Sequence, residues 1–136
     1  RMGQPLLILL DTHVVIWIAM NPAKISKNAR VAMDQARQEN AGIAISDMTL
    51  LELARLSSTG QVQFNTIPEA FLSEVERRFV VVPMNARICI QAFDLPVGYP
   101  KDPADRIIGA TALVEGLTLL TADRAIRDSR AFPTVW

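Results

Sequence analysis

The sequence predicts an α/β sandwich around a central, mostly parallel sheet of four or five strands. Three observations predict it. Short apolar runs recur at Leu6–Leu10, Ile43-Ala44-Ile45, Phe79-Val80-Val81-Val82 and residues 117–120. Each lacks the polar alternation of a half-exposed strand, as expected for strands covered on both faces. Each is also separated from the next by stretches with helix-start and helix-stop signals, and strands alternating with helices imply crossover connections and a parallel sheet. A chain of 136 residues suits one such unit. The whole of 1–136 is therefore expected to form one domain, with Arg1, ahead of Met2, reading as an added residue.

The elements follow in order. The first run stops at Asp11, and a helix is expected over about 14–20, closed by Asn21-Pro22. Ser26 suits the cap of the next helix, which carries Ala29, Val31, Ala32 and Met33 and fades between Gln38 and Gly42. After the second strand, Ser46 or Asp47 caps a helix through Met48, Leu51, Glu52 and Leu56. Residues 60–66 form a loop, and Pro68 opens a helix containing Phe71, Leu72 and Val75. The third strand is stopped by Pro83. A helix over about 85–93 follows, then a Gly/Pro-rich loop over 96–100. Asp102 and Pro103 suit the cap and first turn of a helix reaching Glu115, with Gly116 as its stop. The fourth strand precedes a last helix over 123–129, and Thr134-Val135-Trp136 suits an edge strand.

Half the residues are hydrophobic and 21% are charged, yet no apolar run approaches the ~20 residues of a membrane span. The apolar surplus points weakly to a dimer or a permanent partner. Fourteen basic residues balance fourteen acidic ones. Composition thus argues against general nucleic-acid affinity, which usually needs a basic excess, and leaves a local basic patch or a basic partner as the route to it. The lone Cys89 excludes an internal disulfide and fits a reducing compartment, so a cytoplasmic protein without a signal peptide is expected.

In such sheets the ligand site lies beyond the carboxyl ends of the strands, where strand order switches. Asp11 ends strand one, and Thr121 and Asp123 follow strand four. Asp102 and Asp105 open the helix before strand four, and Glu52 lies about two turns into the helix after strand two, among Leu50, Leu51, Leu53 and Ala54. Carboxylates gathered in one pocket repel one another, and a hard divalent cation, Mg²⁺ or Mn²⁺, resolves the conflict. A metal so held activates water and polarises a phosphate oxygen, which suits phosphodiester hydrolysis without a protein nucleophile. Each position alone also has a local reading. Asp11, Asp102 and Asp123 can cap helices, Asp105 can favour a helix start, and Glu52 can pair with Arg55.

The segment from Leu9 to Trp17, containing Asp11-Thr12-His13, resembles the opening of PIN-domain proteins of the VapC toxin type. The stretches Ser46-Asp47-Met48-Thr49-Leu50-Leu51-Glu52-Leu53-Ala54, Asp102-Pro103-Ala104-Asp105-Arg106-Ile107-Ile108-Gly109-Ala110-Thr111-Ala112 and Leu120-Thr121-Ala122-Asp123-Arg124 resemble their later motifs. The four together, in order, cover nearly the whole chain. The resemblance implies a PIN-like α/β/α fold and a Mg²⁺- or Mn²⁺-dependent endoribonuclease, the toxin of a type II toxin–antitoxin pair. Its acids would be Asp11, Glu52, Asp105 and Asp123, supported by Asp102, Thr121 and Thr12. It also implies a homodimer, a cognate VapB-type antitoxin, and operator DNA bound only through that antitoxin. Residues 97–101 depart from close relatives, which often carry a His-Arg pair there.

Arg106, Arg124 and Arg127 are candidate RNA contacts, although a solvated face explains the last two as well. His13 suits a packed helix-start residue better than a general base. Cys89 suits a small core residue, and Trp17, Phe71, Phe79 and Phe93 suit packing. A receiver-like signalling domain would need an acid ending strand three, where Val82-Pro83 stands. A haloacid-dehalogenase-like phosphatase would need a second Asp at position 13. A PIN-fold protein that only binds partners is a further alternative.

Overall fold

Five consecutive apolar residues give β1 (Leu6–Leu10) no polar face, and the fold buries Ile8, Leu9 and Leu10, which point to alternate sides, while Leu7 is exposed. The structure is a computed structural model that describes residues 6–136; Arg1, expected to be an added residue, lies outside them. β1 is flanked by β2 (Gly42–Ser46) and β4 (Thr118–Leu120), with β3 (Val80–Val82) and β5 (Thr134–Val135) at the edges. All four pairings are parallel and the order is β3-β2-β1-β4-β5. Leu9 sits opposite Ala44 on one side and Leu119 on the other, and the ladder continues past β1, where the Asp11 amide donates to the Leu120 carbonyl at 3.0 Å. The expected four or five mostly parallel strands are thus five, all parallel.

Strand alternation divides the core into two layers. Ile8, Leu10, Ile43, Ile45 and Leu120 face α1 (Thr12–Met20), α2 (Lys27–Gln38), α3 (Asp47–Ser58) and α4 (Pro68–Arg78), whose Val14, Val15, Ala29, Met33, Leu53 and Val75 close over them. Leu9, Ala44, Val82 and Leu119 face α6 (Pro103–Glu115) and α7 (Arg124–Ser129) through Ile108, Ala112 and Ile126. α5 (Ala86–Ala92) packs outside α6, with Ile88 and Ala92 against Ala110.

Helix starts fall where polar caps stand. Ser26 accepts from the Ala29 amide, Ser46 rather than Asp47 from Met48, and Asn85 from Ile88. Asp47 instead accepts from the Met84 amide at 2.9 Å, tying α3 to the segment after β3. Gly116 ends α6 at φ +68°, a left-handed conformation that costs glycine little. Several bounds shift from expectation; β4 starts at Thr118 rather than Leu117, and β2 gains a residue at each end. α1 begins at Thr12, two residues early, because Asp11 caps it. Phe79 closes α4 rather than opening β3, and β5 stops before Trp136. Among the described residues no helix is long and apolar enough to cross a membrane.

The strand order reverses direction at β1. The chain steps outward through β2 and β3 on one side, then returns to β4 and β5 on the other. The crevice between the carboxyl ends of β1 and β4 is the switch point, where parallel sheets accept ligands.

Candidate active site

Asp11 stands at that switch point and is almost fully buried, with every partner it has serving its charge. Its Oδ1 accepts from the Thr12 amide at 2.9 Å, which caps α1. Its Oδ2 accepts from the Thr121 hydroxyl at 2.7 Å, across from the end of β4. The same Thr121 oxygen accepts from the Asp123 amide at 3.1 Å. Thr121 thus joins the two acids that follow the central strands.

Glu52 reaches the same edge from α3. Its Oε1 accepts from the Thr12 hydroxyl at 2.5 Å. The Thr12 oxygen also lies 3.0 Å from the fully buried Thr49 hydroxyl. Thr12 has one proton and gives it to Glu52, so Thr49 donates to Thr12. The relay Thr49–Thr12–Glu52 fixes a half-buried carboxylate by its neighbours' hydroxyls rather than by a cation. The alternative pairing of Glu52 with Arg55 does not form: no ion pair joins them among the described residues, and Arg55 exerts the smallest influence on Glu52. Thr49 was not singled out from sequence, although its i, i+3 spacing from Glu52 places both on one helix face.

Asp102 and Asp105 come from the start of α6. Asp102 caps it through the Ala104 amide at 2.9 Å. Asp105 is half-buried in the first turn, and its side chain has no hydrogen-bond partner among the described residues. Its backbone carbonyl accepts from the Tyr99 hydroxyl at 2.9 Å. Tyr99, buried beneath the acids, was seen in the sequence only as part of a loop. It fits because Gly109 offers no side chain; a Cβ there would collide with the Tyr99 hydroxyl and ring.

Asp123 caps α7 through the Ile126 amide at 3.0 Å. The intervening Ala122 amide donates to His13 Nε2 at 3.0 Å. The capping readings of Asp11, Asp102 and Asp123 therefore hold alongside the clustering. A cap uses one oxygen, which leaves Oδ2 of Asp102, Oδ2 of Asp123, Oε2 of Glu52 and both oxygens of Asp105 without hydrogen-bond partners among the described residues.

The electrostatics show that these acids converge. Burial, then the charges of Asp11, Asp102, Glu52 and Asp123, pushes the Asp105 carboxyl up from 3.8 to about 7. Burial, and then Asp102 and Asp11, pushes Glu52 up, against the Thr12 hydrogen bond and Arg55. Burial pushes the Tyr99 phenol up, reinforced by Asp11, Asp105 and Asp123 and opposed by Arg106. Burial pulls His13 below its ordinary value despite Asp11 and Asp123 nearby. Among the described residues no protein cation figures among the influences on Asp105. The donor set is all carboxylate oxygen, which matches a hard divalent ion such as Mg²⁺ or Mn²⁺. Among the described residues no three of these side chains already stand in a ready-made metal-ligand group, so the acids meet at electrostatic range.

A cleft of about 430 Å³ opens beside the acids between α3 and α6, lined by Met48, Leu51, Glu52, Arg55, Asp102 and Ala104, with Pro103. A larger apolar groove of about 510 Å³, lined by Ile18, Ile25 and Met33, lies along α1 and α2 and holds no carboxylate. None of the arginine candidates forms an ion pair with a site acid among the described residues. Arg106 donates to the Ala92 carbonyl at 3.0 Å and tethers α6 to α5. Exposed Arg124 lies 3.8 Å from Asp128. Arg127 reaches the Ala122 carbonyl at 3.5 Å, with its Nε buried and unpartnered.

Fold and site together define a class: a parallel α/β domain with a carboxylate cluster at the switch point of its sheet. Residues 8–130 match the PIN domain, and the chain belongs to the PIN-domain family. It is 32% identical over 123 residues to ribonuclease VapC22 of Mycobacterium tuberculosis, spanning 90% of this chain and 92% of that protein. Its fold is similar to VapBC2 from Rickettsia felis bound to a promoter DNA fragment, with a TM-score of 0.70 at 18% identity over 95% of this chain and 97% of that one. DNA-bound VapBC from Salmonella typhimurium gives 0.69 at 22%, over 95% and 96%. FitAcB from Neisseria gonorrhoeae gives 0.61 at 23%, over 94% and 96%.

Proposed function

We propose that this chain is a divalent-cation-dependent endoribonuclease, the toxin of a type II toxin–antitoxin pair. One observation carries the reading: burial, and then the charges of Asp11, Asp102, Glu52 and Asp123, push the Asp105 carboxyl up to about 7. The relative named as a ribonuclease and the VapBC complexes of like fold support it. Asp11, Glu52, Asp105 and Asp123 are the residues that would hold Mg²⁺ or Mn²⁺, with Asp102 supporting them. When bound, the ion supplies an acidified water and neutralises charge on the scissile phosphate. The chain's own part is orientation. Thr121 aims Asp11, the Thr49–Thr12 relay aims Glu52, and Tyr99 braces the turn that carries Asp105.

The partners in this reading are an RNA substrate, a VapB-type antitoxin that alone contacts operator DNA, and a second copy of the chain, in the cytoplasm. Exposed Ile90, Phe93 and Val97, on and just after α5, support self-association. The receiver-like alternative loses ground in the fold, since β3 is an edge strand remote from the switch point.

The test uses purified, antitoxin-free protein. RNA cleavage is expected to stop in excess EDTA and return with Mg²⁺ or Mn²⁺. Asp11→Asn is expected to abolish cleavage and growth inhibition with an unchanged circular dichroism spectrum. EDTA-resistant cleavage or full activity of Asp11→Asn would overturn the reading. A wild-type protein that cleaves no RNA would favour a binding-only PIN fold.

A further inference from the structure

His13 is a polar side chain at the site with no part in the reading above. Its Nε2 accepts from the Ala122 amide at 3.0 Å. That lone pair is therefore occupied and the ring proton sits on Nδ1, which lies 3.6 Å from Asp11 Oδ2. The contact is too long for a hydrogen bond, and the ring has no free basic nitrogen, so His13 is not a general base. The ring is held in place as well. Trp17 lies 4.8 Å away at 57° and Trp136 lies 6.3 Å away at 73°, centroid to centroid. The Trp136 carbonyl is in turn tied to Asn28 at 3.1 Å.

Ala122 is the middle residue of the turn between β4 and α7. Its amide is taken by His13 and its carbonyl by Arg127, while Thr121 before it and Asp123 after it share the Thr121 hydroxyl oxygen. Thr121 and Arg127 hold the peptide that joins Ala122 to Asp123, and the His13 bond holds the peptide before it, whose rotation would carry the turn and Asp123 with it. We propose that His13 is a positioning residue that clamps the β4–α7 turn, through Ala122, and so keeps Asp123 at the acid cluster. The clamp is a matter of backbone geometry; its catalytic consequence rests on the nuclease reading.

The test compares His13→Phe, which keeps a ring against the two tryptophans but has no acceptor, with His13→Gln, whose carbonyl oxygen reaches near the position of Nε2. Three quantities are measured on the full chain: amide hydrogen exchange of Ala122 and Asp123, Mn²⁺ affinity by electron paramagnetic resonance, and kcat and KM on RNA. His13→Phe is expected to exchange faster at Ala122, to bind Mn²⁺ about 10- to 100-fold more weakly, and to lose kcat by a similar factor with KM nearly unchanged. His13→Gln is expected to recover most of each loss. A folded His13→Phe matching wild type in exchange and Mn²⁺ affinity overturns the clamp, as does a His13→Gln as impaired as His13→Phe. If wild type cleaves no RNA, the nuclease reading fails, while exchange and Mn²⁺ affinity still decide the clamp.

Discussion

At the residue scale, the site is organised by hydroxyls more than by charges. Thr12 keeps its methyl in the core and spends its only proton on Glu52. Thr12→Val preserves the shape, frees Glu52 and leaves the buried Thr49 hydroxyl without its partner. Cleavage is expected to fall about 10- to 100-fold, as for other losses of orienting groups. Stability should drop about 1–3 kcal/mol, the cost of an orphaned buried hydroxyl, read from the urea midpoint. Asp105 sets a pH dependence whose sign can be worked out. Its folded carboxyl titrates near 7, against 3.8 ordinarily, so between those values the folded state holds more protons than the unfolded state. Stability of the metal-free protein must then fall as pH rises through that window. Glu52, also raised, pushes the same way, and His13, pulled below its ordinary value, opposes them. Urea midpoints at pH 5 and pH 8 are expected to favour pH 5 without metal, and added Mn²⁺ should recover the loss at pH 8. A metal-free protein more stable at pH 8 would mean that the acids do not crowd one another.

At the element scale, the start of α6 is fixed from outside the helix. Tyr99 threads from the preceding loop into the notch at Gly109 and donates to the Asp105 carbonyl, with Phe132 closing the other side. Gly109→Ala places a methyl against both rings, 3.2 Å from Phe132, and is expected to cost about 1–3 kcal/mol as overpacking, measured by denaturant unfolding. Tyr99→Phe removes the hydroxyl alone and is expected to cost about 1 kcal/mol. A Gly109→Ala protein as stable as wild type would show that the loop yields easily. This notch also marks where sequence reading ran out. Caps at Ser26, Asp102 and Asp123 and the stop at Gly116 were legible because they are local: a side chain meets an amide two or three residues away. That Asp11, Glu52, Asp105 and Asp123 come from strand ends and helix starts on one edge of the sheet was legible in outline; their reach to a shared ion is the proposal. The burial of Tyr99 and the tether from Arg106 to Ala92 were not, since both depend on how α5, α6 and the loop between them pack.

At the scale of the whole molecule, periodicity showed which strands are covered on both faces but not which are neighbours. The order β3-β2-β1-β4-β5 makes the first strand the central one and pairs it with a strand contributed more than a hundred residues later. Leu117, Leu119, Ile126 and Phe132 then complete the second core layer. A fragment ending at Glu115 leaves one side of β1 unpaired and that layer half-filled. It is expected to give the collapsed amide spectrum of an unfolded chain in a ¹H–¹⁵N correlation experiment, and a dispersed spectrum would show that β4 is dispensable.

The hydroxyl bond from Thr121 to Asp11 spans 110 positions. A ribosome making this polypeptide must therefore deliver residue 121 before Asp11 acquires that partner. If the protein cuts RNA, that separation works as a safety catch, because a nascent chain cannot bring its acids together until both central strands have emerged.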